Sequence, residues 1–519
     1  MSCSVWSRTF FCLKSWLYSL LMIKILNSQQ IKALDTYTIQ HEPIASIDLM
    51  ERACRAFCFW FTDRFDTTQN IGVVCGTGNN GGDGLGIARL LNSWDYPVRV
   101  WVIKGSGVPS EDFQINLSRL GGKVEVVYLQ EGFDGRLFSS CDVLIDAIFG
   151  SGLSRPVDGL YAAVIESMNE SNTVRISVDI PSGLFADKPT EGRIVNAHHT
   201  ISFQLPKLAF FFPSNYPVVG EWRTVNIGLS KDGIRSAATA NFLLTMKSMS
   251  KLLKPLNKFD HKGTRGRALL IAGSYGKMGA AVLASRGALR TGVGLLTVHV
   301  PKIGYNIVQT SVPEAMASVD DSEYFFSSIP DLTSYDALGT GPGLGQDKNT
   351  VKALKDVLEK FGRPVVLDAD AINIVGSNRE LLHVVPKGSI FTPHPTEFER
   401  LVGSWKNEFE RLEKQKEFSF SFSVVLVLKG AHTSITTPDG KVYFNKTGNP
   451  GMATGGTGDV LTGIITALLA GGYASLEAAQ LGVFLHGLAG DEAAKKRGMR
   501  GLIASEIIDH LSDAFVRLR

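Results

Sequence analysis

Two glycine-rich loops, each with a carboxylate at its end, carry the most chemistry in this 519-residue chain. The first, Gly76-Thr77-Gly78-Asn79-Asn80-Gly81-Gly82-Asp83-Gly84, directly follows the apolar run Ile71–Cys75. Its G-x-G-x-x-G spacing permits positive φ and lets backbone amides approach a phosphate at a helix N-terminus. The oxygens of Asn79, Asn80 and Asp83 add what a cation beside an anionic ligand needs. Two more carboxylate-bearing segments follow strand-like runs: Asp146-Ala-Ile-Phe-Gly150-Ser-Gly-Leu-Ser-Arg155-Pro156 and Val178-Asp179-Ile-Pro181-Ser182-Gly183. Ligands in such folds gather at the carboxyl ends of strands, so these three loops are expected to converge. A plain dehydrogenase would end its second strand in an acid for the ribose hydroxyls. Val98–Ile103 ends instead in Lys104, which argues against that reading.

The second loop, Thr447-Gly-Asn-Pro-Gly451-Met-Ala-Thr-Gly455-Gly456-Thr457-Gly458-Asp459, opens a helical pattern over 460–470. It lacks the G-x-x-x-x-G-K-[ST] of a Walker-type loop. It offers amides at a helix N-terminus, which stabilise charge on a transferring phosphoryl group, and Asp459, placed to take a proton from an attacking hydroxyl. Asp459 set against the helix dipole as a mere cap is the bland alternative.

The elements that position these loops are α/β. Strand-like runs at 71–75, 98–103, 124–128, 143–146 and 175–179 alternate with amphipathic stretches such as 84–94, which predicts a doubly wound, mostly parallel sheet. The first block closes near 224–228, and the polar stretch 230–239 reads as a linker or short bridging helix. The pattern restarts with strands at 267–272, 294–300, 365–368 and 424–428 and an Ala-rich helix over 279–290. We therefore expect domains at 22–230 and 245–519, joined by a linker at 231–244. Met22 is the expected start, with residues 1–21 an upstream over-call or a disordered extension; the apolar run 15–23 is too short to span a bilayer.

Composition narrows the rest. At 44% hydrophobic the chain can bury sizeable cores, and 53 Lys+Arg against 50 Asp+Glu leave no electrostatic reason to seek nucleic acid or anionic membrane. All six cysteines fall in the first 141 residues without a metal-binding pattern, and read as buried free thiols of a cytoplasmic protein.

The first set of motifs resembles the NAD(P)H-hydrate epimerase family over roughly residues 25–229, including Phe203-Gln-Leu-Pro-Lys-Leu-Ala209 and Val225-Asn-Ile-Gly228. In that family the ligand is NADHX or NADPHX, a nicotinamide cofactor hydrated at ring carbon six, and the enzyme interconverts its R and S epimers. The resemblance implies that Asn79, Asn80, Gly81, Gly82, Asp83, Gly150, Ser151, Gly152, Leu153, Ser154, Arg155, Pro156 and Asp179 hold the hydrate. It also implies that Asn80, Asp146 and Ser182 hold a potassium ion (K+). Epimerising a hydroxyl-bearing carbon beside a ring nitrogen requires proton movement there, and Asp179 is the candidate acid/base. Lys207 is either a phosphate contact or a snorkelling structural lysine.

From about residue 259 onward the chain resembles the ribokinase-like superfamily and, within it, the nucleotide-dependent NAD(P)H-hydrate dehydratases. The likeness rests on His261-Lys-Gly-Thr-Arg-Gly-Arg267, Ala272-Gly-Ser-Tyr-Gly-Lys-Met-Gly-Ala-Ala281, Gly339-Thr-Gly-Pro-Gly-Leu-Gly345, Leu367-Asp-Ala-Asp370, Thr392-Pro-His-Pro-Thr-Glu397, Leu428-Lys-Gly-Ala-His-Thr433 and Leu485-His-Gly-Leu-Ala-Gly-Asp491. It implies hydrate contacts at Ala281, Gly343, His394 and Asp459, with Asp459 as general base. It implies nucleotide contacts at Lys429, Gly430, Ala431, His432, Thr433 and Gly458, with Mg2+ bridging the phosphates of ADP or ATP. His394, between two prolines, reads alternatively as a rigid turn, and His486 as core. Thr396 and Gly276-Lys-Met-Gly279 depart from the family pattern.

The sequence therefore predicts an N-terminal Rossmann-like doubly wound sheet that epimerises the hydrate. It predicts a C-terminal ribokinase-like α/β domain that dehydrates the S form at a nucleotide's expense, and a homo-oligomer overall. The competing readings are a small-molecule kinase and an N-terminal domain that only binds dinucleotide or a partner.

Overall fold

Val73 and Val74 are neighbours in one strand, yet they bury in different cores, as do Val100 and Trp101 in the next strand. A sheet with apolar side chains on both faces must be covered on both, the usual condition of a parallel sheet flanked by helices. A computed structural model, which describes residues 21–105 and 107–519, has this architecture. Residues 1–20 of the expected extension lie outside the described residues. The chain divides into two units, one of Lys24–Thr239 and one of the described residues through Ile23 with Ala240–Arg519.

The first unit carries a seven-stranded parallel sheet. Its spatial order is Glu125–Leu129, Val98–Ile103, Ile71–Cys75, Val143–Ala147, Val174–Val178, His199–Phe203, Glu221–Val225. Chain order reverses between Ile71–Cys75 and Val143–Ala147, so the loops leaving these two strands flank the crevice where doubly wound sheets bind ligands. The helix after the first glycine loop starts earlier than its amphipathic pattern predicts, at Asn79 and not at Gly84. The glycines form its first turn because the helix must lie close over the strand that feeds it. A Cβ at residue 81 would stand 1.9 Å from the Gly76 carbonyl oxygen. The polar stretch after the sheet forms the helix Lys231–Ser236, capped by Ser230.

In the second unit the strands run, in space, Asn241–Leu243, Val442–Phe444, Ser434–Thr436, Val425–Leu428, Ile390–Phe391, Val365–Leu367, Ala337–Thr340, Arg267–Ile271, Leu295–Val300, Met316–Val319. All pair in parallel except the hairpin formed by 425–428, 434–436 and 442–444. One face buries Leu269, Ile271, Leu338 and Val365, the other Ala268, Leu270, Leu296 and Val298. Helix Thr457–Ala470 lies directly against helix Met278–Thr291. A Cβ at residue 463 would meet the Ala284 carbonyl oxygen at 1.9 Å, so only hydrogen fits between the two backbones.

Among the described residues no helix is long and apolar enough to cross a membrane, and Cys54, Cys58, Cys75 and Cys141 are free and buried.

Because that helix contact aims the loop preceding Thr457, Gly463→Ala should lower stability by about 1–3 kcal/mol, the usual cost of overpacking. Gly279→Ala is the control, since a Cβ there meets nothing within 4 Å. Thermal melting of both variants decides it; equal melting temperatures would remove the close contact from the account.

Candidate active sites

In the first unit Asp146 belongs to the strand Val143–Ala147 and is wholly buried. Its carboxylate accepts from Ser177 Oγ (2.7 Å), Ser182 N (2.8 Å), Ser182 Oγ (2.5 Å) and Ile148 N (3.3 Å). Burial pushes its pKa up and these donors pull it back, leaving the carboxyl above its usual range. No ammonium or guanidinium bonds to it among the described residues. Asn80, one residue into the helix, is also buried, and its Nδ2 has no hydrogen-bond partner. A Cβ at Gly150 would lie 3.4 Å from the Asn80 Cβ, so the loop after Asp146 passes directly beside it. The three residues expected to hold potassium thus come from the helix that follows Ile71–Cys75, from the strand Val143–Ala147 and from the turn after Val174–Val178.

Asp179 sits just past Val174–Val178 with φ of +65°, a left-handed backbone rare outside glycine. Oδ1 takes every bond: Lys207 Nζ at 2.5 Å, Phe203 N at 3.0 Å and Ser202 Oγ at 3.2 Å. Lys207 Nζ also donates to Ser202 Oγ at 2.9 Å. With its side chain 1% exposed, Lys207 neither snorkels to solvent nor stands open to a phosphate; its ammonium is committed to Asp179.

Asp83 is half-buried, its carboxyl pushed well above the usual range by burial and then by Asp179, Asp35 and Asp112. Gly81 and Gly82 are buried where the helix lies on the loop and on Met50. Asn79, Gly152, Ser154, Arg155 and Pro156 line the exposed outer rim, and Lys188 Nζ ties the Ser154 carbonyl at 2.6 Å. Leu153 N closes a turn onto the Gly150 carbonyl, with Ser151 half-buried between. Asp35, from the helix Ser28–His41, interacts electrostatically with Asp179 and Lys207, and nothing in its local spacing marked it.

In the second unit Asp459 lies in the first turn of Thr457–Ala470. Burial, then Asp368, push its carboxyl up to about 7; Lys429 opposes them, and Asp370 and Glu397 add to the rise. Lys429 Nζ donates to Asp368 Oδ1 at 2.8 Å and lies 3.9 Å from Glu397 Oε2. Burial alone would lower this ammonium, but the carboxylates hold it above its usual value. Thr462 Oγ1, one helical turn past Gly458, donates to Asp368 Oδ2 at 2.7 Å. A Cβ at Gly458 would stand 3.4 Å from Lys429 Nζ, which puts the lysine directly beneath the loop. His486 hydrogen-bonds the Thr457 backbone, and burial pushes it down to about 4, so a neutral imidazole lies under the first turn.

His394 caps the helix Pro395–Val402: its Nδ1 accepts from Glu397 N at 3.3 Å while Glu397 Oε2 accepts from His394 N at 2.8 Å. Gly343 is stitched to the preceding glycine loop by Ser274 Oγ, which donates to its carbonyl at 2.8 Å. Ala281 stands apart, fully buried in the core beneath Gly273. Gly430, Ala431, His432 and Thr433 form the turn between Val425–Leu428 and Ser434–Thr436, where Gly430 N donates to Thr433 Oγ1. Burial pushes His432 down to about 4. Lys277, one of the departures from the family pattern, pairs with Asp370 at 3.3 Å. Spacing alone did not single out Asp368, Glu397 or Thr462. Asp368 lay within a quoted motif, and its place at the end of a buried strand was the available signal.

Comparison with known proteins follows this division. Residues 46–209 match the family model described as YjeF-related protein N-terminus, and residues 268–513 match that of NAD(P)H-hydrate dehydratase. The chain is 36% identical over 508 residues to the bifunctional NAD(P)H-hydrate repair enzyme Nnr of Moorella thermoacetica, covering 94% of this chain and 96% of that protein. It is 35% identical over 516 residues to the Nnr of Thermofilum pendens, covering 96% and 97%. A solved structure of an ADP/ATP-dependent NAD(P)H-hydrate dehydratase from Bacillus subtilis, co-crystallized with ATP/Mg2+, is 33% identical, covers 53% of this chain and 98% of its own, and has a TM-score of 0.47. With near-complete coverage of such relatives, the chain belongs to the bifunctional NAD(P)H-hydrate repair enzymes.

Proposed function

We propose that this chain repairs hydrated nicotinamide cofactor: its N-terminal unit interconverts the R and S epimers of NADHX and NADPHX, and its C-terminal unit dehydrates the S form with ADP or ATP. The observation that carries the second half is Asp459, a carboxyl without a hydrogen bond among the described residues, held near neutrality at the mouth of a glycine-opened helix.

In the dehydratase step Asp459 takes the proton of the hydrate's hydroxyl as that oxygen attacks the terminal phosphoryl group of the nucleotide. The phosphate ester then leaves ring carbon six as the ring nitrogen's lone pair pushes in. Loss of a proton from the neighbouring carbon restores the double bond. Lys429 and the amides around Gly458 would stabilise charge on the transferring group. Three carboxyls, Asp368, Glu397 and Asp459, act on Lys429, and Asp370 acts on Asp459, which leaves the site acidic and suits a nucleotide that arrives as its magnesium complex. Magnesium supplies charge neutralisation on the phosphates.

In the epimerase site Asn80, Asp146 and Ser182 would hold potassium. The donor chemistry fits at Asp146, a buried carboxylate matched only by neutral donors; Asn80 would contribute its side-chain carbonyl oxygen and Ser182 its hydroxyl. Potassium supplies charge balance for that carboxylate. Asp179 serves as acid/base, with Oδ2 free of hydrogen bonds among the described residues. The free thiols of the described residues fit a reducing compartment such as the cytoplasm.

The test is product analysis of racemic NADHX with each nucleotide in turn. Full recovery of NADH in the presence of ADP or ATP is expected; a stable phosphorylated product would turn the reading into a small-molecule kinase. Asp459→Asn should lower kcat for the S form by about 10²–10⁴-fold, the usual contribution of a positioned base. Retained nucleotide binding, measured by calorimetry, would show that the loop is intact.

The pH profile gives an independent check. Protonated Asp459 accepts no proton, so kcat/KM for dehydration should fall as pH drops through about 7. Asp368→Asn removes a charge that raises Asp459 and releases Lys429 toward it, so the acid limb should move to lower pH. A limb that stays in place in this variant excludes Asp459 as its source.

A further inference from the structure

Two tyrosines stand side by side at the carboxyl edge of the second sheet, both largely open to solvent: Tyr275 is 67% exposed and Tyr324 52%. Their ring centroids lie 5.4 Å apart with the planes at 89°, and Tyr275 N donates to the Tyr324 carbonyl at 2.8 Å. The loops that carry them are held firmly. Buried Asp320 accepts from Ser322 N at 2.8 Å, Ser327 N at 2.9 Å, Ser327 Oγ at 2.5 Å and Ser328 N at 3.0 Å, which fixes the turn through Tyr324. Ser274 Oγ, beside Tyr275, donates to the Gly343 carbonyl at 2.8 Å, and Lys277, two residues on, reaches Asp370 at 3.3 Å. Single exposed aromatic side chains are ordinary, but two paired on loops tied in this way make a preformed flat surface.

Strand order sets that surface relative to the chemistry. From Val425–Leu428 across to Met316–Val319 the strands of the second sheet run parallel, so the loops leaving them share one edge. Lys429 leaves the strand at one end of this row, followed in space by Asp368 and Asp370, then Gly343, then Tyr275, and Tyr324 leaves the strand at the other end. Gly458, the residue before Asp459, stands over Asp368, because a Cβ there would lie 3.8 Å from its Oδ2. The strand that feeds Tyr275 is two places from that of Asp368, about 10 Å at the usual strand spacing, on the side away from Lys429. The loops between are in contact: a Cβ at Gly343 would meet the Lys277 carbonyl oxygen at 2.8 Å. Cβ atoms at Gly276 and Gly279 would meet nothing within 4 Å, so the surface leading to Tyr275 is open.

Resting on the dehydratase reading above, we propose that Tyr275 and Tyr324 form the subsite for the adenine base of the hydrated cofactor. The cofactor carries two heterocycles joined through a pyrophosphate. With the hydrated ring at Asp459 and the co-substrate nucleotide on the Lys429 side, the adenosine half extends the other way, over Gly343 and past Lys277. Adenine lying flat on one tyrosine presents its edge to the face of the other, and aromatic rings favour both arrangements. The subsite grips a part of the substrate that does not react, so its contacts are the same before and during the reaction and act on binding.

The experiment uses the full chain and compares dehydration of two hydrates: the S form of NADHX, and hydrated, reduced nicotinamide mononucleotide, which has the reacting ring but no adenosine. Tyr275→Ala should lower kcat/KM for NADHX by about 5–150-fold, the usual worth of one stacked base, chiefly by raising KM. It should bring no loss on the mononucleotide and no rise in KM for ADP or ATP. Tyr275→Phe, which keeps the ring, should recover most of the loss, and Tyr324→Ala should repeat the pattern of Tyr275→Ala. A Tyr275→Ala, Tyr324→Ala double variant with wild-type kcat/KM for NADHX overturns the proposal. So does an equal loss on both hydrates, for which the tyrosines only support the loops. A rise confined to the KM of ADP or ATP overturns it too, because the surface then serves the co-substrate's adenine. Wild-type protein that leaves the S form untouched with either nucleotide overturns the dehydratase reading itself.

Discussion

A buried lysine ammonium shared among more carboxylates than it can neutralise is the constraint on which both units depend. Lys207 lies against Asp179, on which Asp35 and Asp83 also act; Lys429 lies against Asp368, with Glu397 and Asp459 acting on it as well. Removing one partner of a buried pair costs about 3–5 kcal/mol, so each lysine fixes its aspartate at the end of a strand. Asp370 has Lys277 as its own partner, whereas Asp35, Asp83 and Asp459 face burial and like charge with no ion pair among the described residues. Asp35 and Asp459 are consequently pushed to the same value, about 7, by the same two causes in the same order, burial and then a neighbouring aspartate. Groups balanced between their two protonation states at neutral pH are what proton transfer requires.

The backbone geometry that permits this crowding comes from close approach. The helix beginning at Asn79 lies on the Gly76 turn, and the helix beginning at Thr457 lies on the Ala284 backbone, each at a distance that admits no Cβ. Such contacts bring the first turn of each helix, with its free amides, over the end of the sheet where the buried ion pair stands. Moving either helix outward by the thickness of a methyl group would open the acidic pocket to water, screen the charges and return the carboxyls toward their ordinary values.

What the sequence made legible follows from distance along the chain. The two glycine loops, the parallel strands and Asp459 were readable because their signals are local: spacing of glycines, short continuous apolar runs, a carboxylate at the end of a loop that opens a helix. The early start of Asn79–Ser93 was not, because glycine disfavours helix interiors and only the contact with Gly76 explains its use in a first turn. Lys207 was noticed but left between two roles, since only the fold brings Asp179 to its ammonium from 28 residues away. Asp35 lies 144 positions before Asp179, on a helix whose polar pattern reads as an ordinary surface, and no periodicity connects the two. Lys429 reaches Asp368 across 61 positions, through a strand neighbourhood that motif spacing does not encode.

The two sites distribute their free carboxyls differently, and the difference matches the proposed reactions. Around Lys429, Asp368 is tied by Thr462, Asp370 by Gly345 N, and Glu397 by the His394 backbone. Asp459 alone of that set has no hydrogen bond among the described residues. One mobile proton is enough for a dehydration driven in a single direction by nucleotide cleavage. In the first unit Asp179 and Asp83 each keep one oxygen unbonded among the described residues and Asp35 keeps both, so more than one group remains available. A reversible exchange of faces at one carbon needs that second group, because whatever donates in one direction must accept in the other. The carboxyls left uncommitted in each unit therefore track the directionality of the chemistry, one for the driven step and more than one for the reversible one.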